Sequence, residues 1–173
     1  NGANLNIITY RRSAQAFYYF DDDNGETLAD FTSAPDEWHH VAATVSDDGD
    51  GRLYVNGREA ASFTTTVHPE ENGRFAIAMD WDDDSKSDFW DGEIDQLKIW
   101  NTDLSQAEVR ARMYQTIDPD DDAYDDLLAS YRFDAGEGSL AYDYAGSFSA
   151  SFEGDPQWTG FSGALLGQEQ ATA

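Results

Sequence analysis

The stretch 37–57, EWHHVAATVSDDGDGRLYVNG, sets two apolar runs on either side of an acidic, glycine-bearing centre. Val41, Thr44 and Val45 in the first run, and Leu53, Tyr54 and Val55 in the second, are the β-branched and aromatic types that fit a pleated, half-buried surface. Between them, Asp47-Asp48-Gly49-Asp50-Gly51 offers residues that tolerate positive φ and tight turns. Asn56-Gly57 makes a second turn into REAASF. The reading is strand, turn, strand, turn, strand. His39 and His40 are two of the three histidines in the chain. Adjacent side chains on a strand point to opposite faces, so the pair cannot converge on one ion in regular backbone. No third ligand stands nearby at zinc spacing. The pair therefore reads as structural, one ring half-buried on the sheet and the other near solvent.

Working outward, 173 residues suffice for one sizeable domain. Hydrophobic residues make up 40% and aromatics 14%, enough for a real core despite a formal net charge of −25. The charge comes from 25 Asp and 10 Glu against eight Arg and two Lys, Lys86 and Lys98. An acidic disordered tail would hold its charge in one block without aromatics. Here Asp is scattered through turns and strand ends, which describes a folded protein with a carboxylate-coated surface. Self-repulsion on such a surface is screened within about 3 Å at about 1 M salt, so a saline setting is expected. Nucleic acid is an unsuitable partner, because phosphate binding needs a basic face. Cysteine is absent, which removes disulfides, iron–sulfur clusters and a Cys nucleophile. No apolar run approaches the roughly 18 residues of a membrane span. The start without Met or a signal-like segment reads as a processed or excised end.

Further strands are expected at 4–12, 15–21, 74–80, 92–100 and 127–133, besides those at 38–46, 52–56 and 58–64. Ser105 and Glu108 have capping-box spacing, which predicts a short helix over 105–114. DPDDDAYDD, residues 118–126, reads as an acidic linker between a main part, 1–117, and a segment 127–173. Many short strands with turn signals every 8–12 residues predict an all-β sandwich.

Three segments resemble the LamG-like jelly-roll domains of the concanavalin A-like lectin/glucanase superfamily. EWHHVAATVSDDGDGRLYVNGREA resembles their central hairpin, and DGEIDQLKIWNTDLSQAEVRARMY (91–114) their closing segment. LLASYRFDAGEGSLAYDYAGSFSASFEGDPQW (127–158) resembles their opening segment, yet it follows the closing one. The resemblance implies a jelly-roll sandwich of two antiparallel sheets with one short α-helix. Residues 127–166 then fill the first-strand slots of the same domain, as in a circular permutation, or complete a neighbouring subunit by head-to-tail exchange.

The resemblance also implies calcium, held by Asp134, Asp143 and Asp95 with Glu137 as helper, although Asp143-Tyr-Ala-Gly-Ser departs from the usual Asp-Ser-x-Gly-Asn loop. Asp82-Asp83-Asp84 is a second acidic candidate. For carbohydrate, rings that can stack on sugar are expected at Trp81 and Trp90, which bracket an acidic loop, and at Tyr19. Trp38, Tyr54, Trp100 and Trp158 read as core. Glucanases of the superfamily pair two glutamates on one strand; Glu93-Ile94-Asp95 is followed by Gln96, Leu97 and Lys98, so no such pair exists there and an enzyme is not expected. The expected function is a non-catalytic extracellular or cell-surface domain for adhesion or recognition of a glycan or cell-surface polysaccharide, calcium-dependent and adapted to high salt. The alternative is a structural subunit or repeat of a surface filament, array or virion appendage, joined to identical subunits through residues 127–166. A third option is an accessory module of a polysaccharide-acting enzyme.

Overall fold

The computed structural model describes residues 6–65, 75–82 and 85–159, with backbone alone at 81 and 82. Two compact units form, one from residues 1–91 and 103–113, the other from 92–102 and 114–173. All strand pairing among the described residues is antiparallel.

In the first unit, β1 (Asn6–Arg11), β2 (Ala16–Asp21) and β3 (Gly25–Leu28) form one sheet in that order. A second sheet follows from β4 (Val41–Val45), β5 (Asp50–Val55) and β6 (Arg58–Thr64). The core lies between the two. Leu53 and Val55 have 0% exposure and cluster with Ala29 and Ala60, flanked by Phe17, Phe31, Val41, Ala43 and Phe63. Burying each of those two side chains contributes about 1.5–3 kcal/mol. The two turns read from the sequence form as expected, with Gly49 at φ +84° and Asn56-Gly57 at φ +51° and +70°. Gly51 is required for a different reason: a Cβ there would lie 2.0 Å from the Phe63 ring, which instead rests on the glycine and stacks on Tyr19 at 3.9 Å between centroids.

The His pair is structural at His39. Its Nδ1 faces the Asn56 side-chain amide at 3.3 Å and its Nε2 the Ala34 carbonyl at 3.2 Å, while Phe17 and Phe31 meet the ring edge-on. Asn56 also accepts from the His40 backbone N–H at 2.9 Å, which ties the turn to the first strand. At the far end of β2 a buried polar network forms. Asp21, 4% exposed, accepts from the Thr65 hydroxyl and from the backbone N–H groups of Asp23 (2.7 Å) and Asn24 (3.2 Å). Burial pushes its carboxyl up, but those donors outweigh burial and hold it below the usual aspartate range. Tyr19 donates to Asn6 beside it.

The helix α1 (Gln106–Arg112) has the expected capping box: Glu108 N–H donates to Ser105 Oγ at 3.4 Å, and Ser105 N–H to Glu108 Oε2 at 2.9 Å. Arg110 Nε and Gln106 Nε2 donate to the Gly57 carbonyl at 2.7 and 3.2 Å, so the Asn-Gly turn is also the docking point of the helix.

Several expected strands differ. Residues 75–79 are irregular, with Ala78 at φ +66°, and only a short hairpin follows, β7 (Asp80–Asp82) and β8 (Ser85–Ser87). Gln96 at φ +55° interrupts the expected strand 92–100, leaving β9 (Leu97–Trp100). β3 was not expected, because GETL lacks the β-branched alternation; the Asp21-capped turn and Gly25 at φ +76° create it. Trp38 lies ahead of β4 and is 38% exposed rather than core, whereas Tyr54 is buried as expected.

In the second unit, β10 (Leu127–Tyr131) pairs with β9, setting Leu127 against Trp100 and Tyr131 against Leu97. A single 3-10 turn, Tyr124–Asp126, leads into β10. The short strands β11 (Leu140–Ala141) and β12 (Ala150–Ser151) pair beyond it, and Trp158 tilts against Phe152 and donates to the Gly138 carbonyl at 2.8 Å. Asp143 fastens this unit. Its Oδ1 accepts from Ser130 N–H (2.9 Å) and Ala145 N–H (3.0 Å), and its Oδ2 from Phe148 N–H (3.1 Å). Burial pushes the carboxyl up, yet the backbone donors of Ser130, Ala145, Gly146 and Phe148 hold it below the usual range.

Gly51→Ala is expected to force Phe63 off Tyr19 and cost about 1–3 kcal/mol, read as a lower thermal midpoint; an unchanged midpoint would refute the stacked arrangement. Asp143→Ala leaves the N–H of the buried residue Ser130, and those of Ala145 and Phe148 nearer solvent, without their acceptor and is expected to cost about 1–3 kcal/mol in denaturant titration. The folded pKa of Asp143 lies below its unfolded one. The ionised clamp therefore stabilises above the ordinary aspartate range, near about 3.9, and that contribution is lost as pH falls through the lowered value. Asp143→Asn is expected to flatten this acid limb, and a limb as steep as the parent's would contradict the assignment.

Candidate functional site

Alternation along β5 decides what the second sheet of the first unit shows to solvent. Leu53 and Val55 point into the core, so Asp50 and Arg52, in the opposite phase, lie on the outer face. Cross-strand pairing adds Thr64 opposite Asp50 and Ser62 opposite Arg52. Glu59 arrives by an irregularity. Leu53 pairs with Ala61 but Tyr54 with Glu59, so Ala60 is an extra residue, a bulge. Ala60 turns into the core, where it is buried, and its carbonyl accepts from Asp30 N–H at 2.6 Å. Regular alternation from Ala61 would have sent Glu59 inward. The bulge re-aims it outward, 3.7 Å from Arg52 Nε.

The result is an open groove of about 370 Å³ lined by Asp50, Arg52, Glu59, Ser62, Phe63 and Thr64. Arg52 Nη1 also donates to the Gly51 carbonyl at 3.0 Å, which orients the guanidinium. Arg52 and Glu59 side chains keep 40% and 46% of their surface exposed, so both can meet a ligand. The lining offers a planar donor, two carboxylate acceptors and two hydroxyls on one rigid face. Sequence reasoning missed all of these residues. The period-2 polar positions of β5 and β6 could have marked Arg52, Ser62 and Thr64, but nothing in REAASF announces a bulge.

Of the residues expected to stack on sugar, Tyr19 is placed otherwise. Tyr19 is 4% exposed, its ring held by Phe63, so it offers no free face. Its neighbour Tyr18 is in the outward phase, but the Arg11 guanidinium covers its ring at 5.1 Å and is itself ion-paired with Glu26. Trp90 is half-buried, its backbone N–H bonded to the Ala78 carbonyl at 2.8 Å. Trp81 pairs through its backbone with Lys86, and its side chain lies outside the described structure, as do Asp83 and Asp84.

The expected calcium ligands are partly brought together in the second unit. Asp95 is close enough to Asp134 for the two charges to interact; burial pushes Asp95 above its usual range and Asp134 adds to it. Asp143 is spent on backbone N–H groups, and Glu137 is exposed on a glycine-flanked turn. Asp134 accepts from Tyr144 Oη at 3.0 Å. Calcium requires six to eight oxygens around one point. Among the described residues no group of three or more His, Asp or Glu side chains is gathered to hold a metal ion. As described, Asp95, Asp134, Glu137 and Asp143 do not fit the ion.

The laminin G-type family model of the concanavalin A-like lectin/glucanases superfamily matches residues 1–110, a span that contains the groove and the start of the helix. Comparison with curated proteins found no match. Among solved structures, a candidate carbohydrate-binding protein from Bacteroides ovatus ATCC 8483 aligns with a TM-score of 0.69 at 17% identity, over 85% of this chain and 44% of the other. The chain thus spans less than half the length of that protein, and the likeness is one of fold. An S-layer domain-containing protein from Clostridium thermocellum ATCC 27405 aligns over 65% of each chain at 18% identity with a TM-score of 0.42. Mostly β, antiparallel, with one short helix and a family match over residues 1–110, the chain belongs to the laminin G-type family of the concanavalin A-like jelly-roll superfamily.

Proposed function

We propose that this chain is a non-catalytic recognition domain whose ligand is a glycan, bound in the groove on the outer face of β5 and β6. The observation that carries this reading is the lining of Arg52, Asp50, Glu59, Ser62 and Thr64 in about 370 Å³. A sugar hydroxyl donates and accepts at once, so it is matched by donors and acceptors set side by side. The volume lies within the range of small-ligand sites, about 300–1,000 Å³. The Bacteroides ovatus protein of similar fold, a candidate carbohydrate-binding protein, supports the same ligand class.

A non-catalytic role is supported by the chemistry of the acids. Hydrolysis of a glycosidic bond needs two carboxylates flanking it in distinct roles. Here the two carboxylates of the groove, Asp50 and Glu59, share it with Arg52, which engages Glu59, and Glu93-Ile94-Asp95 has no second glutamate beside it. The net charge of −25 supports work at the cell surface or outside the cell, in salt.

A glycan array probed in high salt, followed by calorimetric titration of the retained sugars, tests the site. Arg52→Ala and Glu59→Gln are each expected to weaken binding about tenfold, or about 1.4 kcal/mol, with little change in thermal midpoint. Unchanged affinity in both variants would move the ligand elsewhere, and an array without any retained glycan would end the reading. The saline reading predicts a thermal midpoint that rises steadily from dilute buffer to molar KCl; a flat response would remove it.

A further inference from the structure

The groove on the outer face of β5 and β6 holds two carboxylates, Asp50 and Glu59, and one cation, Arg52. Arg52 is engaged within the protein: its Nε faces Glu59 Oε1 at 3.7 Å, and its Nη1 donates to the Gly51 carbonyl at 3.0 Å. Asp50 differs. Its backbone is fixed at the start of β5, where its N–H donates to Ser46 Oγ at 3.2 Å and its carbonyl accepts from Ser46 N–H at 3.0 Å. Among the described residues no hydrogen bond or ion pair holds its carboxylate. Thr64 stands opposite it on β6, and Ser62, in the same phase, stands opposite Arg52. An anchored backbone thus presents an unneutralised carboxylate beside two exposed hydroxyl-bearing residues that line the same groove.

We propose that Asp50 is the specificity-determining residue of the groove: the preferred ligand carries a free amino sugar whose ammonium Asp50 accepts, and glycans bearing uronate are rejected. An ammonium brings several N–H donors and the charge opposite to that of Asp50, and a charge-assisted hydrogen bond is stronger than a neutral one. A carboxylate entering the groove would instead meet Asp50 without a counter-ion. It would also have to take Arg52 from Glu59, leaving that acid unpaired. Like-charge juxtaposition of this kind is how a site excludes the wrong ligand. A neutral sugar has neither the gain nor the penalty and ranks between the two. This inference rests on the glycan reading and narrows its ligand class.

The experiment titrates the full chain with matched oligosaccharides: a hexosamine oligomer with free amines, its N-acetylated form and the corresponding hexuronate oligomer, in the gluco and galacto series. Titrations run at mildly acidic pH, which protonates the amines, in the lowest salt that keeps the chain folded and again in molar KCl. In low salt the free amine is expected to bind about three- to fivefold more tightly than the N-acetyl form, the scale of an exposed ion pair, with the ratio falling toward one in molar salt. The hexuronate is expected to bind more weakly than either. Asp50→Asn is expected to bring the ratio of amine to N-acetyl affinity close to one in both salts and to narrow the gap to the hexuronate. An amine preference undiminished in that variant belongs to the acidic surface as a whole and overturns the proposal. Hexuronate binding as tight as that of the amine overturns it too, but leaves the glycan reading standing. If none of the three binds in either series the inference fails, and the glycan reading fails only where the broader array is blank as well.

Discussion

Burial of Leu53 and Val55 against the opposing sheet is the constraint on which the first unit depends. Both side chains are sealed from water, and strand period then sends their neighbours Arg52 and Tyr54 to the other face. A one-residue slip of β5 would exchange the two sets, burying a guanidinium without a partner at a cost of several kcal/mol. Three features hold the register: Gly49 at positive φ, Asn56-Gly57 at positive φ, and Gly51 beneath the Phe63 ring. The helix adds a fourth, since its Arg110 and Gln106 converge on the carbonyl of Gly57. Core, turns and helix thus constrain one strand, and the groove is the outer consequence of that inner constraint.

A chain with so many carboxylates has to prevent its acids from interfering with its own folding. Exposed Asp groups are left to solvent and salt, where their repulsion is screened. Two acids that enter the protein, among the described residues, are held in the ionised form: Asp21 by a hydroxyl and two backbone N–H groups, and Asp143 by backbone N–H groups. Asp95 has only the Gln96 backbone N–H and the Lys98 charge against burial and the Asp134 charge. The first two end with lowered pKa values and the third with a raised one. Hydrogen bonds to the ionised form act at contact, whereas the Lys98 charge acts at longer range and does not overcome burial. Asp21 and Asp143 thus serve as structural fasteners.

The distance between family and ligand is widest at the aromatic residues. Tyr19 and Tyr18 are each committed within the protein, to Phe63 and to Arg11 respectively. The groove instead relies on polar groups fixed on two strands, whose rigidity lowers the entropy lost on binding. Its one irregular feature, the extra Ala60, is what turns Glu59 toward Arg52.

The sequence by itself determined the elements whose causes are local. These are the β4–β5–β6 meander with its two turns, the capping box of Ser105 and Glu108, the structural role of His39 and the family resemblance. Each rests on residues within a few positions of one another, where period, turn chemistry and capping act directly. Tertiary structure decided the rest. That Tyr19 faces inward and Tyr18 outward depends on which side of β2 meets the second sheet. That Glu59 faces the groove depends on a bulge without a glycine to announce it. That Lys98 and Arg132 come close enough to repel each other depends on β9 meeting β10 across the acidic segment 118–126. In all three cases the deciding partner lies far along the chain, and an individual residue cannot encode which distant strand will come to rest beside it.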